Sequence, residues 1–188
     1  MFSSPRTTFL TALLPTVVFG ATTRNTSEPF QLYVYGKGLG GFPVFYAEGL
    51  AYAGNPDTSF PGDSNADVVQ FVNGVDNMWI GSPITKKTDW KDVTLFVPTA
   101  ESEVTGVGFL TSNDTQGNSS IQTTGFSWYG QTAMRIEEDG TIDTKFTALQ
   151  LSNGAIQLYW DNTSLGQIPV TLRSKPPANF VNATTSAS

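Results

Sequence analysis

The chain contains no cysteine and no histidine. Without cysteine there is neither a disulfide framework nor a thiol nucleophile, so the core has to hold by packing alone. Without histidine, the commonest general base and the commonest transition-metal ligand are both missing. Together these absences exclude serine or cysteine nucleophiles activated by histidine, and zinc, haem and copper sites of the familiar kinds. They also exclude a polysaccharide oxygenase whose copper is held by histidines. No cofactor and no metal is expected.

Positive charge is scarce. Over 188 residues there are 10 Lys and Arg against 16 Asp and Glu, a net charge of −6. An acidic surface argues against binding nucleic acid or anionic membranes by charge. Long apolar runs are also few. Residues 1–20 place Arg6 before the stretch Phe9-Leu10-Thr11-Ala12-Leu13-Leu14-Pro15-Thr16-Val17-Val18-Phe19, followed by Gly20-Ala21. This is the pattern of a secretory signal with cleavage after Gly20 or Ala21, too short for a transmembrane helix. No later segment is apolar enough to span, so integral membrane association is not expected, and the mature chain, at −7, is expected outside the cell.

Helical periodicity is missing too, and turn-bounded short strands take its place. Residues 30–173 read as one domain of short strand-like runs, such as Val93–Val97 and Ile156–Trp160, in which alternate residues can face a core. Residues 21–29 are a short N-terminal extension, and 174–188 a Ser/Thr/Pro-containing tail expected to be flexible. Asn73-Gly74, Asp139-Gly140 and Asn153-Gly154 each lie between two such runs and predict type I′ hairpins. The aromatics, 13 Phe, 6 Tyr and 4 Trp, can fill a core. The pattern predicts an all-β, antiparallel β-sandwich, jelly-roll-like, with a closed barrel as the structural alternative.

Gly36, Gly38 and Gly41 match the G-x-G-x-x-G spacing of a dinucleotide-binding turn. That chemistry needs a helix opening at the glycines. Phe42-Pro43-Val44-Phe45-Tyr46 follows instead, a run that favours extended chain, so the glycines read as a bend between strands.

The chemistry that survives is that of carboxylates. A glycosidase needs two acids across a cleft, and Glu48, Glu137, Glu138, Asp139 and Asp143 are among those available. The Glu-x-Asp-x-Glu strand motif of some sandwich-fold glucanases is not completed, because Thr141 and Ile142 follow Asp139. Asp63-Ser64-Asn65-Ala66-Asp67 begins like a calcium loop, but Val68 stands where the turn glycine belongs and Gly74 where the bidentate glutamate belongs. It reads as a turn feeding the strand at Asp67. No catalytic and no metal-binding residue is therefore assigned.

Trp79, Trp90, Trp128 and Trp160 could stack sugar rings, although strand aromatics more often belong to a core. Trp90 is the ligand-binding candidate, because it is the one apolar residue in Lys86-Lys87-Thr88-Asp89-Trp90-Lys91-Asp92. Sequons begin at Asn25, Asn113, Asn118, Asn162 and Asn182, the candidates for N-glycosylation in a eukaryotic secreted chain.

The stretches Pro29–Gly36, Gly40–Gly54, Leu158–Asp161 and Gln167–Arg173 resemble a family of small secreted proteins of filamentous ascomycete fungi. The likeness spans nearly the whole mature chain. That family has no established activity, so the resemblance implies a fungal extracellular β protein and carries over no site residue. The expectation is a secreted, glycosylated, non-catalytic protein, extracellular or wall-associated, that binds cell-wall polysaccharide or an extracellular protein. The alternatives are a carboxylate-dependent glycan hydrolase or lyase, and a host-directed effector.

Overall fold

A computed structural model describes residues 28–111 and 119–178. The strands are β1 (Tyr33–Gly36), β2 (Leu39–Ala47), β3 (Leu50–Ala53), β4 (Asp67–Asn73), β5 (Trp79–Pro83), β6 (Val93–Pro98) and β7 (Gly108–Leu110). They continue with β8 (Ile121–Gln122), β9 (Phe126–Tyr129), β10 (Thr132–Ile136), β11 (Ile142–Asp143), β12 (Phe146–Gln150), β13 (Ile156–Trp160) and β14 (Ile168–Arg173). One helical turn, α1 (Pro56–Ser59), interrupts them. It is capped by the Asn55 side chain, which accepts from the Asp57 N–H at 2.9 Å. No helix among the described residues is long and apolar enough to cross a membrane.

The strands close into a ten-strand antiparallel barrel. Pairing runs β1-β2-β4-β5-β6-β7-β3-β13-β12-β14, and β14 returns to β1 through four residue pairs from Tyr33↔Arg173 to Gly36↔Val170. The pairing of β2 with β3 ties across this ring, while β9, β10 and β11 form a small sheet attached to β14. The all-β, antiparallel reading is met. A two-sheet sandwich is not what the pairing builds, because the last strand hydrogen-bonds the first and so joins the two ends of the sheet.

The interior is a packed core. Val34, Val44, Phe71, Trp79, Leu95 and Leu158 lie within it, each essentially inaccessible to solvent. Burying side chains of this size contributes roughly 1.5–3 kcal/mol each. One end is closed by aromatic packing: Phe30 sits 5.6 Å from Phe71 and edge-on to Trp79 and Trp128, at 5.1 and 5.0 Å. The opposite face of β2 and β3 buries a second cluster, Phe45, Ala47, Tyr52, Ala66 and Ala155, against which Phe60 and Leu151 pack. Both faces of this hairpin are therefore covered.

The glycines after β1 do bend the sheet. Lys37-Gly38 is a two-residue loop, with Gly36 paired to Leu39. Gly41, at φ +93°, is the extra residue of a bulge where the register slips between Val34 and Tyr35. Type I′ geometry occurs elsewhere than predicted. Gly74 is at φ −98°, and the two positive φ values fall on Asp76 and Asn77, inside a turn closed by the Met78 N–H to Val75 carbonyl bond at 3.1 Å. Gly74 instead makes room for Ile80, whose Cδ1 would lie 2.8 Å from an added Cβ. Asp139-Gly140 and Asn153-Gly154 do mark hairpins, of the three-residue kind in which glycine alone has positive φ, here +84° at both. In each the preceding Asx side chain accepts the N–H two residues on, from Thr141 and Ala155.

The beginning of the C-terminal tail is fastened to the barrel. The Ser174 N–H donates to the Gln131 carbonyl at 3.0 Å, and the Tyr35 hydroxyl to the Lys175 carbonyl at 2.8 Å. The leader and the N-terminal extension up to residue 27 lie outside the described residues, as do 112–118 and 179–188.

Candidate functional site

Trp90 is not a surface residue. It is 5% exposed, belongs to the main core and stacks on Tyr46 with ring centroids 4.4 Å apart. Its indole N–H donates to the Asn65 carbonyl at 2.7 Å, and Thr88 reaches across to the Trp90 carbonyl. The charged neighbours in sequence stay at the surface while the connection folds its one large apolar side chain inward. This burial removes Trp90 as a sugar-stacking face. Trp79 is fully buried, and Trp128 is packed against the core. Trp160 sits edge-on to Phe146 at 4.7 Å.

The calcium-like loop spends its oxygens on internal donors. Asp63 accepts the Asn65 N–H, and Asn65 exchanges two hydrogen bonds with Asp89. Asp67, fully buried rather than solvated, accepts from the N–H groups of Val68, Thr85 and Lys86 and from the Thr85 hydroxyl. Among the described residues no group of three or more acids is placed to hold a metal ion.

Glu48 is exposed in the tight turn between β2 and β3, where it and Gly49 both have positive φ. It lines neither of the two clefts described below. Glu137 and Asp143, by contrast, converge. β10 and β11 pair antiparallel with Arg135 opposite Asp143, so the end of this hairpin brings both acids to one side of the barrel. There they meet the chain leaving β13, Trp160-Asp161-Asn162, and the loop after β6. The resulting cleft is about 410 Å³, and Glu137, Asp143, Lys145, Asp161, Asn162 and Gln122 supply its polar wall. Thr99, Ser102 and Thr105 add hydroxyls, and Pro98, Val104 and Trp160 the apolar surface. The volume lies in the range of about 300–1,000 Å³ usual for ligand pockets.

Lys145 is the electrostatic hub. Its Nζ lies 3.0 Å from Asp143 and 3.4 Å from Asp161. The hydrogen bond to Asp143, with the Asp161 charge behind it, raises the lysine above its ordinary value, so it is a fixed donor and not a base at neutral pH. Glu137 is paired with Arg135, whose guanidinium is buried and also donates to the Thr124 carbonyl. The three carboxylates thus face two cations, one of them at the back. A site of this kind offers acceptors and donors to hydroxyl groups and repels polyanions.

A second groove, about 690 Å³, runs between Phe42, Pro43, Pro56, Val68 and Pro177. Its walls are mostly apolar. The Asp67 carboxylate on its border is already saturated by the four donors named above, and Asp57 is paired with Lys86 at 2.8 Å.

Of the five sequons, only Asn162 lies among the described residues, and it stands in the cleft wall. Asn25, Asn113, Asn118 and Asn182 lie outside them. Sequence reading missed Lys145, Asp161 and Gln122 as site residues. Nothing in their local sequence marks them, because the cleft is assembled from segments far apart in the chain. No family model, curated protein or solved structure matches this chain.

Proposed function

We propose that this chain is a secreted, glycosylated extracellular protein of fungal type that binds neutral cell-wall polysaccharide, without catalysis, in the cleft around Lys145. The observation that carries this reading is the convergence of Asp143, Lys145, Asp161, Asn162 and Gln122 on one cleft of about 410 Å³. Carboxylates and amides accept from sugar hydroxyls, while the lysine and the amide groups donate to them. The excess of carboxylates over cations favours a neutral glycan over an acidic one. Trp160 is only 7% exposed, so recognition rests on hydrogen bonds more than on ring stacking.

The test is retention of the purified protein, with its N-glycans trimmed, on insoluble chitin, β-glucan, cellulose and xylan, with released reducing sugar assayed in the same tubes. Asp161 is 65% exposed in its side chain and has a positive φ of 47°, so Asp161→Gly removes the carboxylate without straining the backbone. Loss of the charge-assisted hydrogen bonds of Asp161 weakens retention by about tenfold, or 1.4 kcal/mol. Retention that is unchanged in Asp161→Gly and in Gln122→Ala places binding elsewhere.

A second reading rests on Glu137 and Asp143 sharing the cleft, since paired carboxylates are what glycoside hydrolysis requires. Both acids are already ion-paired, to Arg135 and Lys145. Release of reducing sugar that disappears in Glu137→Gln would establish this reading and displace the first.

A further inference from the structure

Asn162 joins two features otherwise unrelated: it begins the sequon Asn162-Thr163-Ser164 and it forms part of the cleft wall. Its carbonyl oxygen is turned back into its own loop. Oδ1 accepts from the Ser164 N–H at 3.0 Å and from the Ser164 hydroxyl at 2.8 Å, with Gln167 Nε2 at 3.5 Å. A backbone N–H can only donate, so the oxygen must be the atom facing Ser164, and Nδ2 is directed away from the loop. Gln167 is oriented by the same logic, because its Oε1 accepts the Leu165 N–H at 2.8 Å. The backbone is anchored as well, with the Thr147 hydroxyl donating to the Asn162 carbonyl at 2.7 Å. The position is therefore rigid, and the nitrogen that carries an N-linked sugar takes part in none of these bonds.

From this we infer that Asn162 is glycosylated and that its glycan covers the cleft, so that the glycan-bearing form is closed to polysaccharide and the trimmed form is open. The inference rests on the proposed extracellular route and on the same cleft. An N-linked glycan of several branched rings is bulkier than the cleft it borders, and it is rooted beside Asp161 and Trp160. Glycan processing then sets how much of the secreted protein can bind. The hydroxyl groups of the attached sugar also find the same donors and acceptors that a free chain would use, and this holds the glycan down over Lys145.

The experiment compares the full chain secreted from a eukaryotic host before and after endoglycosidase trimming to a single N-acetylglucosamine. Peptide mass spectrometry reads the occupancy of Asn162. The accessibility of Lys145, 45% exposed in its side chain, is read by acylation with a bulky, charged succinimidyl ester, independently of any polysaccharide. Trimming raises Lys145 labelling by about threefold or more, as removal of a bulky surface cover should. Ser164→Ala, which loses the sequon, labels like the trimmed protein, and Ser164→Thr, which keeps it, labels like the intact one. A bare Asn162, or labelling that does not change on trimming, overturns the inference. If shielding is found but neither form is retained on any polysaccharide, the glycan cover stands and the proposed ligand class falls.

Discussion

Tyr46 and Trp90 stack face to face, 4.4 Å between ring centroids and 28° between planes. The contact joins β2 to the charged connection before β6. It turns the residue that looks most like a ligand platform in the sequence into a clamp that holds this connection on the barrel. Phe109 also packs on Tyr46, tilted by 45° with ring centroids 5.5 Å apart.

Trp90→Ala should therefore destabilise the fold by ~3–5 kcal/mol, the range for removing a large buried aromatic. Trp90→Phe keeps a ring and loses the bond to Asn65, at a cost of about 1–2 kcal/mol. Urea denaturation ranks the three proteins. A Trp90→Ala protein that stays as stable as the parent and loses polysaccharide retention would return Trp90 to the binding surface.

Asp67 is buried and accepts four hydrogen bonds, two from Thr85, one from Lys86 and one from its own neighbour Val68. Asp67→Ala leaves those N–H groups without an acceptor, a loss on the order of 3–5 kcal/mol for a buried, hydrogen-bonded charge. Asp67→Asn should fare little better, because one carboxylate oxygen becomes an NH₂ group facing backbone donors. Equal thermal midpoints for Asp67→Asn and the parent would contradict this account.

Alkaline pH should weaken the fold. Burial pushes the phenols of Tyr33, Tyr52 and Tyr159 above their ordinary value of 10.0, with the Glu48 charge adding to the effect at Tyr52. The unfolded chain then releases these protons first. Stability is level with respect to these groups below about pH 10 and declines as pH rises past it. Phenolate absorbance of the native protein should lag that of the denatured chain for three of the 6 tyrosines. Superimposable titrations of the two states would refute the prediction.

Gly41→Ala tests the bulge. The residue is at φ +93°, and an added Cβ would lie 2.7 Å from the Tyr35 ring and 2.9 Å from Pro177. Strain at a positive φ of about 1–3 kcal/mol, added to overpacking of similar size, gives a loss of roughly 2–5 kcal/mol. Displacement of Tyr35 also breaks its bond to Lys175, so proteolysis after residue 174 should quicken. Unaltered stability together with unaltered cleavage would show that the bulge tolerates a side chain.

The β content was legible because period-two alternation and turn dipeptides are local. Ile156–Trp160 is found where its pattern places it, and the hairpins at Gly140 and Gly154 lie at their dipeptides. Local signals misled where a neighbour across the barrel decides. Gly74 looks like a turn glycine and is there to accommodate Ile80, while the left-handed turn falls on Asp76 and Asn77, which tolerate it. The two shortest strands, Ile121–Gln122 and Ile142–Asp143, exist only through pairing with β6 and β10 and carry no pattern of their own.

By itself the sequence determined the elements and the chemistry that is out of reach: strands in place of helices, a core without disulfides, no histidine- or cysteine-based site. Those follow from composition and from nearest neighbours along the chain. Tertiary structure alone decided that the sheet closes, because alternation along a strand is the same in a sandwich and in a barrel and only the β1–β14 pairing distinguishes them. It also decided that Trp90 is core and that Glu137, Asp143, Lys145 and Asp161 share one cleft. Such proximity is a property of the way distant segments pack, and no one segment contains it.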